Sequence, residues 1–154
     1  MPYILIAILL LSIDQASKLW ARNSLADIGS IPIIKNFLHL TYVENRGAAF
    51  VMLHGKIILF LIATIIAILL LIKYAHSQKQ NKHSKYLNII VAFIIAGAMG
   101  NLIDRAFLGF VTDMIDFRGI WVFVFNIADC YVVCGTLALM YYMFRFDSQF
   151  ENKK

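Results

Sequence analysis

Residues 57–72, IILFLIATIIAILLLI, carry one hydroxyl, on Thr64, and no charge. Lys56 and Lys73 close the run at either end, and their long stems can reach back to lipid headgroups. A bilayer core needs about 20 apolar residues per helix. Three more stretches suit that need, at about 3–21, 87–106 and 125–144. The expected fold is an all-α membrane protein of four transmembrane helices, forming a single domain over residues 1–154. Composition agrees: 61% of residues are hydrophobic and 15% charged, far from the mix of a soluble domain.

The net charge of +5 raises the question of a nucleic-acid partner. Its placement argues against one. Lys73, Lys79, Lys82 and Lys85 fall together in KYAHSQKQNKHSK (73–85), with no acid among them. A short basic loop between apolar runs is a cytoplasmic topology signal. The loop 73–86 is thus expected in the cytoplasm with both termini, which Arg145, Lys153 and Lys154 support. Segments 22–55 and 107–124 then face outward. The first of these, through IPIIKNFLHLTYVENRGAAF (31–50), alternates β-branched and aromatic residues and should form a small β-like platform on the outer leaflet. MPYILIAILLLSI (1–13) has no basic n-region and SKLWARNS (17–24) no small-x-small cleavage site, so the first helix is expected to be retained. Cys130 and Cys134 lack a C-x-x-C pattern or zinc spacing and read as small core residues. Trp121, Phe123 and Phe125 read as an interfacial belt.

That topology gathers the polar residues at one depth. Asp14 and Lys18 fall near the outward end of the first helix. GNLIDR (100–105) places Asn101, Asp104 and Arg105 at the outward end of the third. Asp113 and Asp116, in VTDMIDF (111–117), lie in the outer connection. Asn126 and Asp129, in FNIAD (125–129), open the fourth helix. Ionisable groups at such positions are costly and mark function by default. Asp14–Lys18, an acid four residues before a base, can equally be a helix-face salt bridge, and Asp104–Arg105 an interfacial pair. Asn126, three before Asp129, is placed to orient it, and Gly97 and Gly100 admit a close helix neighbour.

Asp113 and Asp129 differ from these because neither has a base within a helical turn. Two carboxyls meeting in a partly desolvated site cannot both ionise comfortably, so one keeps a proton. Water-mediated peptide hydrolysis uses that division: the ionised acid takes a proton from water, and its partner donates to the carbonyl oxygen. Chemistry alone leaves Asp116 open as the partner of Asp129.

DQASK (14–18), NRGAAF (45–50), GNLIDR (100–105), VTDMIDF (111–117) and FNIAD (125–129) resemble, in order and spacing, the motifs of the bacterial lipoprotein signal peptidases, or signal peptidase II. The resemblance spans nearly the whole chain. It implies an aspartyl endopeptidase of the bacterial cytoplasmic (inner) membrane, working without metal or other cofactor on the extracytoplasmic side. Its substrates would be prolipoproteins already carrying diacylglycerol, cut just before the lipidated cysteine. By motif match the catalytic acids fall on Asp113 and Asp129. Asp14, Lys18, Asn45, Gly47, Asn101, Asp104, Arg105 and Asn126 match positions that support or line the site. Prolipoproteins and membrane lipids are then the expected partners, nucleic acid is not, and the protein is expected to work as a monomer. Arg46 stands where the family varies, and FVML (50–53) lacks a Ser often found there.

Two other classes compete. A proton-coupled transporter would use Asp14, Asp104 and Asp129 as relay carboxylates, yet a pathway needs polar groups at several depths and the inner halves of these helices carry almost none. A non-catalytic assembly subunit would tolerate Asp113→Asn and Asp129→Asn.

Overall fold

A computed structural model describes residues 2–46, 57–79 and 81–146. Gly47, Lys56, Lys153 and Lys154 lie outside the described residues. Helices α1 (Pro2–Ser24), α2 (Ile57–Ser77), α3 (Ser84–Leu108) and α4 (Ile127–Phe146) account for most of the chain, and three strands are interleaved: β1 (Ser30–Ile34), β2 (Leu38–Asn45) and β3 (Val111–Phe117). The protein is mostly helical, with a small antiparallel sheet at one end. α3 is the hub, packing on α1, α2 and α4.

Three of the helices, α1, α3 and α4, are long and apolar enough to cross a membrane, and the stretch Leu61–Ser77 of α2 is a shorter apolar helix. Their outer faces stay greasy: Leu5 is 68% and Phe144 82% exposed. Apolar surface on that scale suits lipid rather than water.

Helix ends depart from the sequence expectation. α2 runs on through Lys73 to Ser77 and α3 begins at Ser84, so the expected loop 73–86 shrinks to a turn at 78–83. Hydropathy marks where a bilayer ends, but backbone hydrogen bonding continues while side chains permit it. The turn is tied to the end of α4, because the Asn81 amide donates to the Phe146 carbonyl at 2.8 Å. α3 likewise extends to Leu108, where Gly109 at φ 78° closes it by donating its N–H to the Arg105 carbonyl. That left-handed cap suits glycine.

The outer platform is a three-stranded sheet in the order β1-β2-β3, antiparallel throughout. Its third strand is VTDMIDF, where the sequence leads one to expect only an outer connection. Ala21 of α1 and Leu25 just beyond its end pack with Met114 beneath the sheet, joined by Leu40 and Tyr42. Phe125 does not begin a helix: it exchanges backbone hydrogen bonds with Ile115 at 2.7 and 3.0 Å, and α4 starts two residues later. Its ring stacks on Phe117, while Trp121 and Phe123 stay exposed, so Phe125 leaves the expected belt. Cys130 is half-buried and Cys134 exposed, which removes Cys134 from the core.

Small residues decide how closely α3 and α4 approach. A Cβ on Gly97 would meet the Ala128 carbonyl oxygen and the Val132 side chain, and one on Gly100 would meet the Asp14 carboxylate. Gly97→Val should therefore destabilise the protein by ~1–3 kcal/mol through overpacking. Thermal unfolding in detergent measures this; an unchanged midpoint would mean α4 moves aside freely.

Candidate active site

The site is built from a buried ion cluster upward. Asp14 and Lys18, one turn apart on α1, are both fully buried and 3.0 Å apart. Asp104 reaches in from α3, 3.4 Å from the Lys18 ammonium, with Arg22 at 4.0 Å on its other side. Asp104 therefore does not pair with Arg105, its neighbour in sequence. Successive residues on a helix point about 100° apart, and Arg105 instead donates to the Asn101 carbonyl at 3.2 Å. Gln15 stitches the cluster, donating to Asp14 Oδ2, Asp104 Oδ1 and the Gly100 carbonyl at 3.2–3.3 Å. Buried charges need this many partners, since each is otherwise left with its full desolvation penalty.

Each of the two acids also accepts a backbone N–H, Asp14 through its second oxygen and Asp104 through the oxygen that faces Lys18. Asp14 Oδ1 accepts the backbone N–H of Ala128 at 2.9 Å. Asp104 Oδ2 accepts the backbone N–H of Thr112 at 3.0 Å. Ala128 immediately precedes Asp129, and Thr112 immediately precedes Asp113. A single lysine thus governs two acids, each of which grips the chain one residue before a candidate catalytic carboxyl. Arg22 steadies the same point by donating to the Thr112 hydroxyl at 3.0 Å.

Asn126 joins the two carboxyls. It caps α4 reciprocally with Asp129: its Oδ1 accepts the Asp129 N–H at 2.9 Å, and Asp129 Oδ2 accepts the Asn126 N–H at 3.2 Å. This is a capping box closed by Asp in place of Glu. The Asn126 side-chain N–H, fixed in direction by that cap, donates to Asp113 Oδ1 at 2.6 Å. Asn45 donates to Asp113 Oδ2 at 2.8 Å. Asn45 pairs with Val111 across the sheet, two residues from Asp113, and diagonal neighbours on one face come within reach. Lys18 donates to the Asn101 side-chain Oδ1 at 2.9 Å, turning the Asn101 amide nitrogen toward Asp129 Oδ1 at 2.7 Å.

Asp113 is 1% exposed and Asp129 half-buried. Burial pushes the Asp113 carboxyl up to about 6; the Asn45 and Asn126 amides restrain it, and the charge of Asp129 raises it further. Asp116 belongs to a different cluster. It sits 3.0 Å from Arg118 and accepts from the Thr41 hydroxyl at 2.9 Å, and Arg118 also reaches the Ser30 hydroxyl. Partial burial works upward on Asp116 too, but Arg118 and Thr41 hold its carboxyl below the usual range. Three residues apart on a strand, Asp113 and Asp116 face opposite ways.

The structure therefore brings together Asp113, Asp129, Asn45, Asn101 and Asn126, with Asp14, Lys18 and Asp104 directly behind them. Arg105 stands close enough to interact with the charges of both Asp129 and Asp113. Among the described residues no three His, Cys, Asp or Glu side chains group as a metal ion would require. Sequence reading missed Gln15, Arg22 and Thr112. Gln15 lies inside DQASK, but nothing in the spacing of a lone glutamine shows that it bridges two helices.

Comparison with known proteins follows the same line. The family model described as Signal peptidase (SPase) II matches residues 6–145. The chain is 51% identical over 149 residues to the Lipoprotein signal peptidase of Clostridioides difficile, covering 97% of this chain and 99% of that one. It is 44% identical to the Lipoprotein signal peptidase of Caldanaerobacter subterraneus subsp. tengcongensis, covering 91% and 94%. A bacterial membrane enzyme solved by the in meso method at 1.9 Å superposes with a TM-score of 0.80 at 31% identity, covering 94% of this chain and 93% of that one.

Proposed function

Because this chain belongs to the signal peptidase II family, we propose that Asp113 and Asp129 are the pair that activates water for its reaction. The protein is a protease that cleaves signal peptides from prolipoproteins. One observation carries the assignment of the pair: one residue, Asn126, holds both carboxyls, that of Asp113 through its side-chain N–H and that of Asp129 through its backbone N–H, and each acid is tethered from behind through the residue before it. In this reading Asp113, the more deeply buried, keeps the proton. Asp129 accepts one from water as it attacks the scissile carbonyl. Asp113 donates its proton to the carbonyl oxygen; as the intermediate collapses, Asp129 passes the proton from water to the departing amine and Asp113 takes its own back from the hydroxyl. Asn45 and Asn101 orient the two acids, and Arg105 offsets charge as it accumulates.

Orientation completes the reading. The acid-free basic turn supports a cytoplasmic location for that end of the bundle, in which case α2 would be the fourth span and both termini would be cytoplasmic. The sheet and the acids would then face the extracytoplasmic side of the inner membrane. A substrate anchored by diacylglycerol presents its scissile bond at that depth. One domain and a single copy of the chain hold every residue the reaction uses.

The test is cleavage of a diacylglyceryl-modified peptide by the purified protein, read by gel shift. Asp116→Asn should keep activity within about threefold, since its carboxyl serves the sheet; a loss as large as that of Asp113→Asn would transfer the assignment to Asp116.

The pH profile has a stated sign. The Asp113 carboxyl is raised from 3.8 to about 6, so its proton survives at mild acidity and leaves as pH rises through about 6. The free enzyme's kcat/KM should fall along that alkaline limb, whose midpoint belongs to the pair. Asn45→Leu removes a donor that holds the carboxyl down, so the limb should move upward. A limb unmoved by that change would uncouple Asp113 from it.

A further inference from the structure

The acidic end of the molecule has a counterpart at the opposite end. A cavity of about 370 Å³ opens between the first turns of α1, the last turns of α2 and the first half of α3. That volume is in the range of small-ligand sites, about 300–1,000 Å³. It exists because α1 and α2 both pack on α3 rather than on one another. Ala7, Val91 and Ile95 line its depth, and His76, Lys79 and Asn88 line it near the basic turn. Asn88 is half-buried, and its side-chain amide makes no hydrogen bond among the described residues.

At this end of the three helices that line the cavity, the formal charge on the described residues is all of one sign. No Asp or Glu occurs between Glu44 and Asp104, or before Asp14, whereas Lys73, Lys79, Lys82 and Lys85 fall within that span. Lys79 lines the cavity, and no carboxylate on the three helices stands near this end to neutralise it. A greasy slot with cationic and hydrogen-bonding groups at its rim matches a molecule with an acyl chain and an anionic headgroup.

We propose that this cavity is a binding site for one anionic phospholipid from the leaflet beside the basic turn. An acyl chain lies against Ala7, Val91 and Ile95, and the phosphate is met by Lys79 with His76 and Asn88 as hydrogen-bonding partners. A zwitterionic lipid gains less, because its cationic group finds only more positive charge. A signal peptide is a poorer occupant too, since a basic N-terminal region would be repelled by the same lysines. The lipid would wedge α2 against the hub at the end far from the chemistry. The site stands independently of the peptidase assignment.

The test is native mass spectrometry of the full chain with phosphatidylglycerol or phosphatidylcholine in mixed micelles. One phosphatidylglycerol should be retained preferentially, and Lys79→Gln should lower that preference about fivefold, the effect of one cation near a lipid surface. Ala7→Trp, which fills the slot from α1, should abolish retention of either lipid while peptide cleavage persists. Equal retention of the two lipids overturns the proposal. So does a preference that neither variant changes, or displacement of phosphatidylglycerol by a signal-sequence peptide.

Discussion

Asp113→Asn and Asp129→Asn are each expected to lower cleavage of a diacylglyceryl-modified peptide by about 10²–10⁴-fold, the usual worth of a positioned acid or base. The loss should lie in chemistry. Asn keeps the shape of the side chain, and the backbone grips at Thr112 and Ala128 do not involve the substituted group. Stability gives the control. A carboxyl raised from 3.8 to about 6 favours folding at low pH, and that contribution fades as pH rises through about 6. At pH 7.5 the charged form works against the fold by at most about 3 kcal/mol. Asp113→Asn removes that charge, so its unfolding midpoint should match or exceed that of the unaltered protein. Cleavage retained by both variants would leave the family's reaction without these two acids.

Lys18→Met should have the largest effect on stability. The Lys18 ammonium is fully buried, 3.0 Å from Asp14 and 3.4 Å from Asp104, and it also fixes Asn101. Removing it strands two buried carboxylates, at a cost of ~3–5 kcal/mol. Activity should disappear with it, because the cluster sets the position of both candidate catalytic acids. The triple change Asp14→Asn, Lys18→Met, Asp104→Asn removes the stranded charge and should recover part of the unfolding midpoint, though not the activity. If Lys18→Met shifts that midpoint by less than about 2 °C, the cluster does not carry this weight.

The sequence shows the helices, their alternation and the depth of the acids, because long apolar runs and an acid-free basic turn admit few arrangements. It also carries the Asp14–Lys18 pair and the orienting role of Asn126, since spacing on a helix determines both. β3 was not legible. VTDMIDF is buried from Val111 through Met114, so the polar–apolar alternation that would announce a strand is blurred. The start of α4 was misplaced because Phe125 continues an apolar run while serving as a sheet edge. Partner choice was the deepest gap. Asp104 takes Lys18 instead of Arg105, and Asp116 takes Arg118 and Thr41; such pairings depend on which way a side chain leaves its element.

The grips on Thr112 and Ala128 separate the machine's frame from its blades. A protein disarmed at either acid should still close around prolipoprotein with undistorted geometry and then fail to let go through turnover. Such a stalled form would serve as bait, holding authentic clients long enough for their identification in a living cell.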